Sequence, residues 1–196
     1  MTKTPAPAIL RYADGGWAEA IGGHLALDLV NTVSWRLDPS RTVDRLPDGA
    51  ALARWADFVG LAGDDVSSDE TVTRVRRLRE QIYRVVQPMA VGAEPAAKDV
   101  QTLRRSLLGA LGRADVASVM PLEHTAADLP DELGLAAWRL LEREDARRIR
   151  QCQASDCGWL FLDRTKNGSR VWCSSADCGN RSRARRHYAR RTAEQR

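Results

Sequence analysis

All four cysteines of this 196-residue chain lie in its last 45 residues, at Cys152, Cys157, Cys173 and Cys178. They form two C-x4-C pairs separated by fifteen residues. A segment this short has little apolar core of its own, so something other than packing must hold it. Two evenly spaced thiol pairs fit a tetrahedral site of four thiolates, the donor set of structural zinc. Four cysteines close the coordination sphere and leave no position for water, so the site is structural and not catalytic. Metal binding would then supply much of the segment's folding free energy, about 10–16 kcal/mol in zinc-finger peptides. Two disulfides, a redox switch and an iron–sulfur cluster are the other chemistries open to four cysteines. A reducing compartment argues against the first, and the spacings differ from the usual motifs of the other two.

The connection between the pairs predicts a hairpin. Apolar "GWLFLD" (158–163) runs into the turn "RTKNGS", where Asn167-Gly168 can take positive φ, and "RVWC" returns to the metal. Trp159, Phe161 and Trp172 are the expected cover of the site. After Cys173, "SSADCGNRSRARRHYARR" reads as a helix capped by Ser174 or Ser175. The last two ligands would then sit at a hairpin end and in a first helical turn, a treble-clef-like arrangement.

That helix is strongly basic. Residues 150–196 carry eleven Arg and Lys against four acids, a net +7, within a whole-chain charge of +4. Residues 1–149 are therefore at −3. A basic end on an acidic body is the electrostatic footprint of a nucleic-acid contact. In 100° steps, Arg181 and Arg185 share a face, Arg183, Arg186 and Arg190 cluster on another, and Arg191 lies near His187. Arginines that wrap a helix can engage several phosphates, and arginine can read guanine in the major groove. Asn180 could read adenine, but its place beside the metal turn favours a structural role. Arg181 could brace the knuckle carbonyls. A solvated basic tail is the plain alternative, and DNA and RNA are not separable by charge.

Residues 1–149 read as a mainly helical domain with minor β structure. Residues 1–20 are rich in Gly, Pro and Ala and are expected to be loose. "GGHLALDLVNTV" (22–33) favours a short buried helix, with a strand also open. Helices are expected from Asp48, as cap, to Gly60 or Gly63, with a Leu52, Trp55, Ala56, Val59 stripe, and from a Ser67/Glu70 capping box to a kink or end at Pro88. The second of these carries Val72, Val75, Leu78, Ile82, Val85 and Met89. Another begins near Pro95, with Val100, Leu103, Leu107 and Leu111 inward. A hairpin is expected around Pro121, and a last helix over 131–151.

The motif "CGNR", Cys178–Arg181, preceded by "WCS" and by "C-x4-CGWLFLD", resembles the CGNR zinc fingers. "GGHLALDLVNTV" resembles the signature of the ABATE domain, the usual partner of that finger. The resemblance spans nearly the whole chain. It implies a bacterial, stress-induced transcription regulator whose four cysteines bind zinc and whose C-terminus binds DNA. The expected architecture is mainly α with minor β: an ABATE-like domain over 1–149 for sensing or assembly, and a four-cysteine finger with its basic helix over 150–196.

Asp28 and Asn31 interrupt an apolar run. They either line a pocket or satisfy buried backbone. The histidines (His24, His124, His187) are scattered, and no Walker loop, nucleophile elbow or zinc-protease motif occurs, so no enzymatic activity is expected. No eighteen-residue apolar run and no signal-peptide pattern is present, so a cytoplasmic protein is expected. DNA is the expected partner, with room for a small-molecule effector and a homodimer. A zinc-stabilised module that binds protein or RNA is the competing reading.

Overall fold

A computed structural model of the chain describes residues 9–11, 17–63, 66–142 and 144–194. Much of the expected loose segment, 1–8 and 12–16, lies outside the described residues; the rest forms a small hairpin of β1 (Ile9–Arg11) and β2 (Trp17–Glu19). The helical reading of the 22–33 stretch holds. α1 (Leu25–Val30) is a short helix, capped by the His24 imidazole accepting from Ala26 N. Ala26, Leu27, Leu29 and Val30 are all buried. A two-residue pair follows, β3 (Val33–Ser34) with β4 (Val43–Asp44).

α2 (Gly49–Phe58) starts where expected, with the Asp48 carboxylate accepting from Ala51 N at 2.8 Å. α3 (Asp69–Ala90) is the central helix, packing on α1, α2 and two later helices. Its cap is Ser68, one residue after the expected Ser67, with Asp69 and Glu70 favouring the positive end of the dipole. Its inward stripe is Val72, Val75, Leu78, Ile82 and Val85, joined by Val86, whereas Met89 is exposed. The helix runs two residues past Pro88. The bond that Pro88 removes would have gone to the carbonyl of Arg84, on the exposed face, where water can replace it. α4 (Ala97–Arg113) buries Leu103, Leu107 and Ala110, whereas Val100 in its first turn is exposed. The expected hairpin is present as β5 (Asp115–Val119) and β6 (Leu122–Thr125). α5 (Leu129–Glu142) is shorter than expected, because the chain tightens into a 3-10 turn over Glu144–Arg148.

The hairpin at the cysteines differs from expectation. β8 (Leu160–Leu162) pairs antiparallel with β7 (Ile149–Gln151), and not with the returning Arg170–Trp172 segment. The first cysteine pair therefore sits in the loop of the hairpin, not beside its end. The returning segment makes a single ladder-like bond, Gln153 N to Val171 O at 3.2 Å. The reason lies in β8, which is buried on both faces. Leu160 and Leu162 join the main helical core with Ile149, while Phe161 joins a second cluster around the cysteines. An alternating strand with two apolar faces needs cover on both. The β7 edge is the one that leads directly out of the helical core.

After Ser174, whose hydroxyl accepts from Asp177 N, the chain makes one wide π turn (Ser175–Gly179) and continues as α6 (Asn180–Glu194). The result is mainly helical with small strand pairs, ending in a four-cysteine cluster and a basic helix.

Candidate metal centre and nucleic-acid interface

The four Sγ atoms lie within 4.8 Å of one another, and all four cysteines are buried. Sγ of Cys173 is 3.7 Å from that of Cys157 and 3.5 Å from that of Cys178. A tetrahedron of thiolates at zinc's bond length has edges of about 3.8 Å. Two local devices set this geometry. In the first knuckle, Cys157 N donates to Ala154 O at 3.1 Å, and Gly158 turns away with φ +74°, a conformation that disfavours any side chain. In the second, Gly179 N donates to Ser174 O at 3.0 Å and closes the wide turn on Cys178. Trp159, Phe161 and Trp172 cover the sulfurs as expected, and Gly168 takes the expected positive φ, +61°.

Packed this closely, four thiols cannot all ionise unaided. Bonds from the Cys157, Cys173 and Cys178 thiols hold Cys152 far below the ordinary thiol range. Giving such bonds, together with burial, pushes Cys157 and Cys173 far above it. A dication among the sulfurs removes that conflict, so the donor set, spacing and burial fit a zinc ion held by Cys152, Cys157, Cys173 and Cys178. Four thiolates and one Zn²⁺ leave two negative charges, and two guanidiniums flank the cluster. Arg181 donates to Cys178 Sγ at 3.2 Å. Arg170 lies 4.1 Å from the centre of the Phe161 ring and donates to the carbonyls of Trp172 and Cys173. Such contacts orient thiolate ligands and temper their charge.

The six arginines expected to touch nucleic acid divide into two groups. Arg181 and Arg185 face inward to Asp156, a carboxylate on the first knuckle that is only 6% exposed. Arg41 reaches the same carboxylate from the helical domain at 3.3 Å. Arg41 and Arg181 also stack on Trp35, 3.6 and 4.4 Å from its ring centre. Trp35 has φ +59°, left-handed backbone that costs about 1 kcal/mol or more for a non-glycine residue. No sequence motif marks Trp35 or Asp156. Arg183 bonds Asn180 Oδ1 and the Ser175 carbonyl, and Asn180 donates to Ala176 O at 2.6 Å, so Asn180 serves the turn. Arg186, Arg190 and Arg191 are exposed and bond to none of the described residues.

Residues 23–144, more than half of the chain, match the family model ABATE, described as "Putative stress-induced transcription regulator". The chain belongs to this family. Residues 148–191 match a second model, the CGNR zinc finger, in the order expected. A search of curated proteins gave no match.

The two matched spans meet within a continuous structure. Asn31, in the ABATE span, donates to Leu160 O at 2.8 Å and accepts from Leu160 N at 2.9 Å. Both ends of its amide are used on the backbone of Leu160. Arg36 N donates to Cys157 O at 3.1 Å, and the Trp159 indole donates to Val33 O at 3.0 Å. The expected division at residue 149 falls inside β7. Among the described residues, no helix is long and apolar enough to cross a membrane.

Asp28 accepts from Gly22 N at 2.8 Å, and burial pushes its carboxyl from 3.8 up to about 7 against the opposing effect of that bond. The folded ABATE domain thus keeps a proton that the unfolded chain releases. The stability this gives is full below pH about 4 and is lost as pH rises through 7. Asp28→Asn keeps an acceptor for Gly22 and removes the loss. The variant should gain on the wild type by about 3 kcal/mol between pH 4 and pH 8. Urea denaturation at both pH values measures this, and a pH-independent difference would count against a protonated Asp28.

Proposed function

We propose that this ABATE-family protein is a DNA-binding regulator whose contact is the outer face of α6. The observation that carries this is the division of labour among the arginines. Arg186, Arg190 and Arg191 are unengaged on a helix whose root is fixed by the cysteine cluster, by Arg181 and Arg185 on Asp156, and by Trp35. A free basic tail would have no such anchorage. A rigid helix with free guanidiniums can present them to phosphates together, and Arg183 can join them by leaving Asn180. The reading gives the protein no catalytic chemistry, in keeping with His24 being spent as a helix cap. It places the protein's work in the cytoplasm, with the ABATE helices left for sensing or assembly.

Duplex binding by the zinc-loaded protein should weaken steeply with salt. Replacing Arg186, Arg190 and Arg191 by alanine should lower the log–log slope by about 2–3 and leave the zinc content unchanged. An unaltered slope would overturn the assignment. Selection from random duplexes then separates a sequence reader from a phosphate binder: enrichment lost on zinc removal supports base readout, and tighter binding of RNA or an acidic protein supports the competing interaction module.

A further inference from the structure

A second basic site lies in the ABATE domain, far in sequence from the finger. Arg74 and Arg77 on α3 and Arg113 at the end of α4 line a cleft of about 150 Å³ that is closed below by α5. Its floor is Asp131, whose side chain is 3% exposed. Arg113 forks onto both Asp131 oxygens, at 2.8 and 2.6 Å. Arg74 spans from Asp128 at 2.5 Å to Asp131 at 3.5 Å. The buried carboxylate thus fixes two guanidiniums while leaving each with unused N–H donors, since an arginine has five. Arg77 is exposed and bonds to none of the described residues. One turn on, Gln81 Oε1 accepts a hydrogen bond from the Ser106 hydroxyl at 2.7 Å, which leaves the Gln81 amide NH₂ unengaged. Three guanidiniums against two carboxylates leave the cleft positive.

We infer that this cleft binds the phosphate group of inorganic phosphate or of a small phosphomonoester. Guanidinium forks match phosphate oxygens, and donors converging from α3 and α4 suit a tetrahedral anion. The volume, about five waters' worth, admits such an anion. The site does not depend on α6 touching DNA.

Titration calorimetry on the full-length, zinc-loaded protein, at constant ionic strength, with inorganic phosphate and with glycerol phosphate, tests it. The wild type should bind one equivalent. Arg77→Ala should weaken binding about tenfold or more and Arg77→Glu should abolish it, while both keep the unliganded melting temperature, because Arg77 has no bond to lose. Arg186→Ala/Arg190→Ala should bind as the wild type does. Preference between the two probes identifies the source of the phosphate group, and either preference supports the site. No binding at about 10 mM, binding that survives Arg77→Glu, or binding lost only in the α6 variant would each overturn it; the last would assign the anion to the proposed nucleic-acid face.

Discussion

Cys173→Ser should abolish stoichiometric zinc and unfold the C-terminal segment, and the damage should extend into the helical domain. Cys173 is central to the cluster, with Sγ 3.7 Å from Cys157 and 3.5 Å from Cys178. The binding free energy at stake, about 10–16 kcal/mol, is as large as the whole stability of a typical domain, about 5–15 kcal/mol. A serine hydroxyl does not ionise at neutral pH and is a poor zinc ligand, so the loss should be near complete. The damage spreads because Ile149, Leu160 and Leu162 belong to the helical core while Phe161 caps the sulfurs. Zinc by atomic emission should fall to near zero. The near-ultraviolet dichroism of Trp159 and Trp172 should collapse, and calorimetry should show the melting temperature of the remaining helices lowered as well. Chelation of the wild type should reproduce all three. Retention of one zinc with an unchanged melt would refute the four-cysteine centre.

Arg79→Ala should cost about 2–3 kcal/mol, less than the roughly 3–5 kcal/mol for breaking a fully buried ion pair, because Asp44 keeps Arg76 at 3.1 Å and Glu80 keeps Arg36 at 3.0 Å. Arg79 is 3% exposed, on the central helix. Its guanidinium forks onto Asp44 at 2.7 and 2.8 Å, reaches Glu80 at 2.9 Å and touches the Thr32 hydroxyl at 3.2 Å. It therefore ties α3 to β4 and to the end of α1. Burial alone would raise the Asp44 and Glu80 pKa values, but Arg79 at Asp44, and Arg36 followed by Arg79 at Glu80, outweigh it and lower both. Groups with depressed folded pKa values stabilise above their unfolded values, near 4, and lose that contribution as pH falls through them. Urea midpoints for the variant should thus be lower at neutral pH, with a shallower acid limb. A loss below about 1 kcal/mol, the size of a surface pair, would show that the network is not a structural tie.

The metal centre was almost entirely legible in sequence because its logic is local. Two cysteines five positions apart can share a turn, and Asn167-Gly168 announces another. The helical stripes were legible for the same reason, since Val72, Val75, Leu78 and Ile82 encode their face within one element. What escaped were pairings across long loops. Asn31 meets Leu160 129 positions away, and nothing near either residue signals the other. The same holds for Asp156, whose three arginines come from residue 41 and from α6. Arg181 and Arg185 look like Arg186 and Arg190 in composition; only the buried carboxylate beneath them separates anchors from free donors. The "GWLFLD" strand is legible in sequence but its pairing with β7 is not, because apolar alternation says that two faces are covered and not by what.

That strand also governs how the protein can be divided. A cut in the stretch between the two matched spans, residues 145–147, would release a finger with Leu160 and Leu162 bare on its outer side, and a helical body with a furrow where they had been. Each piece would carry a matching greasy scar. A finger made alone should therefore cling to itself or to any passing apolar surface, and a pull-down with that fragment would report the scar before it reported a partner.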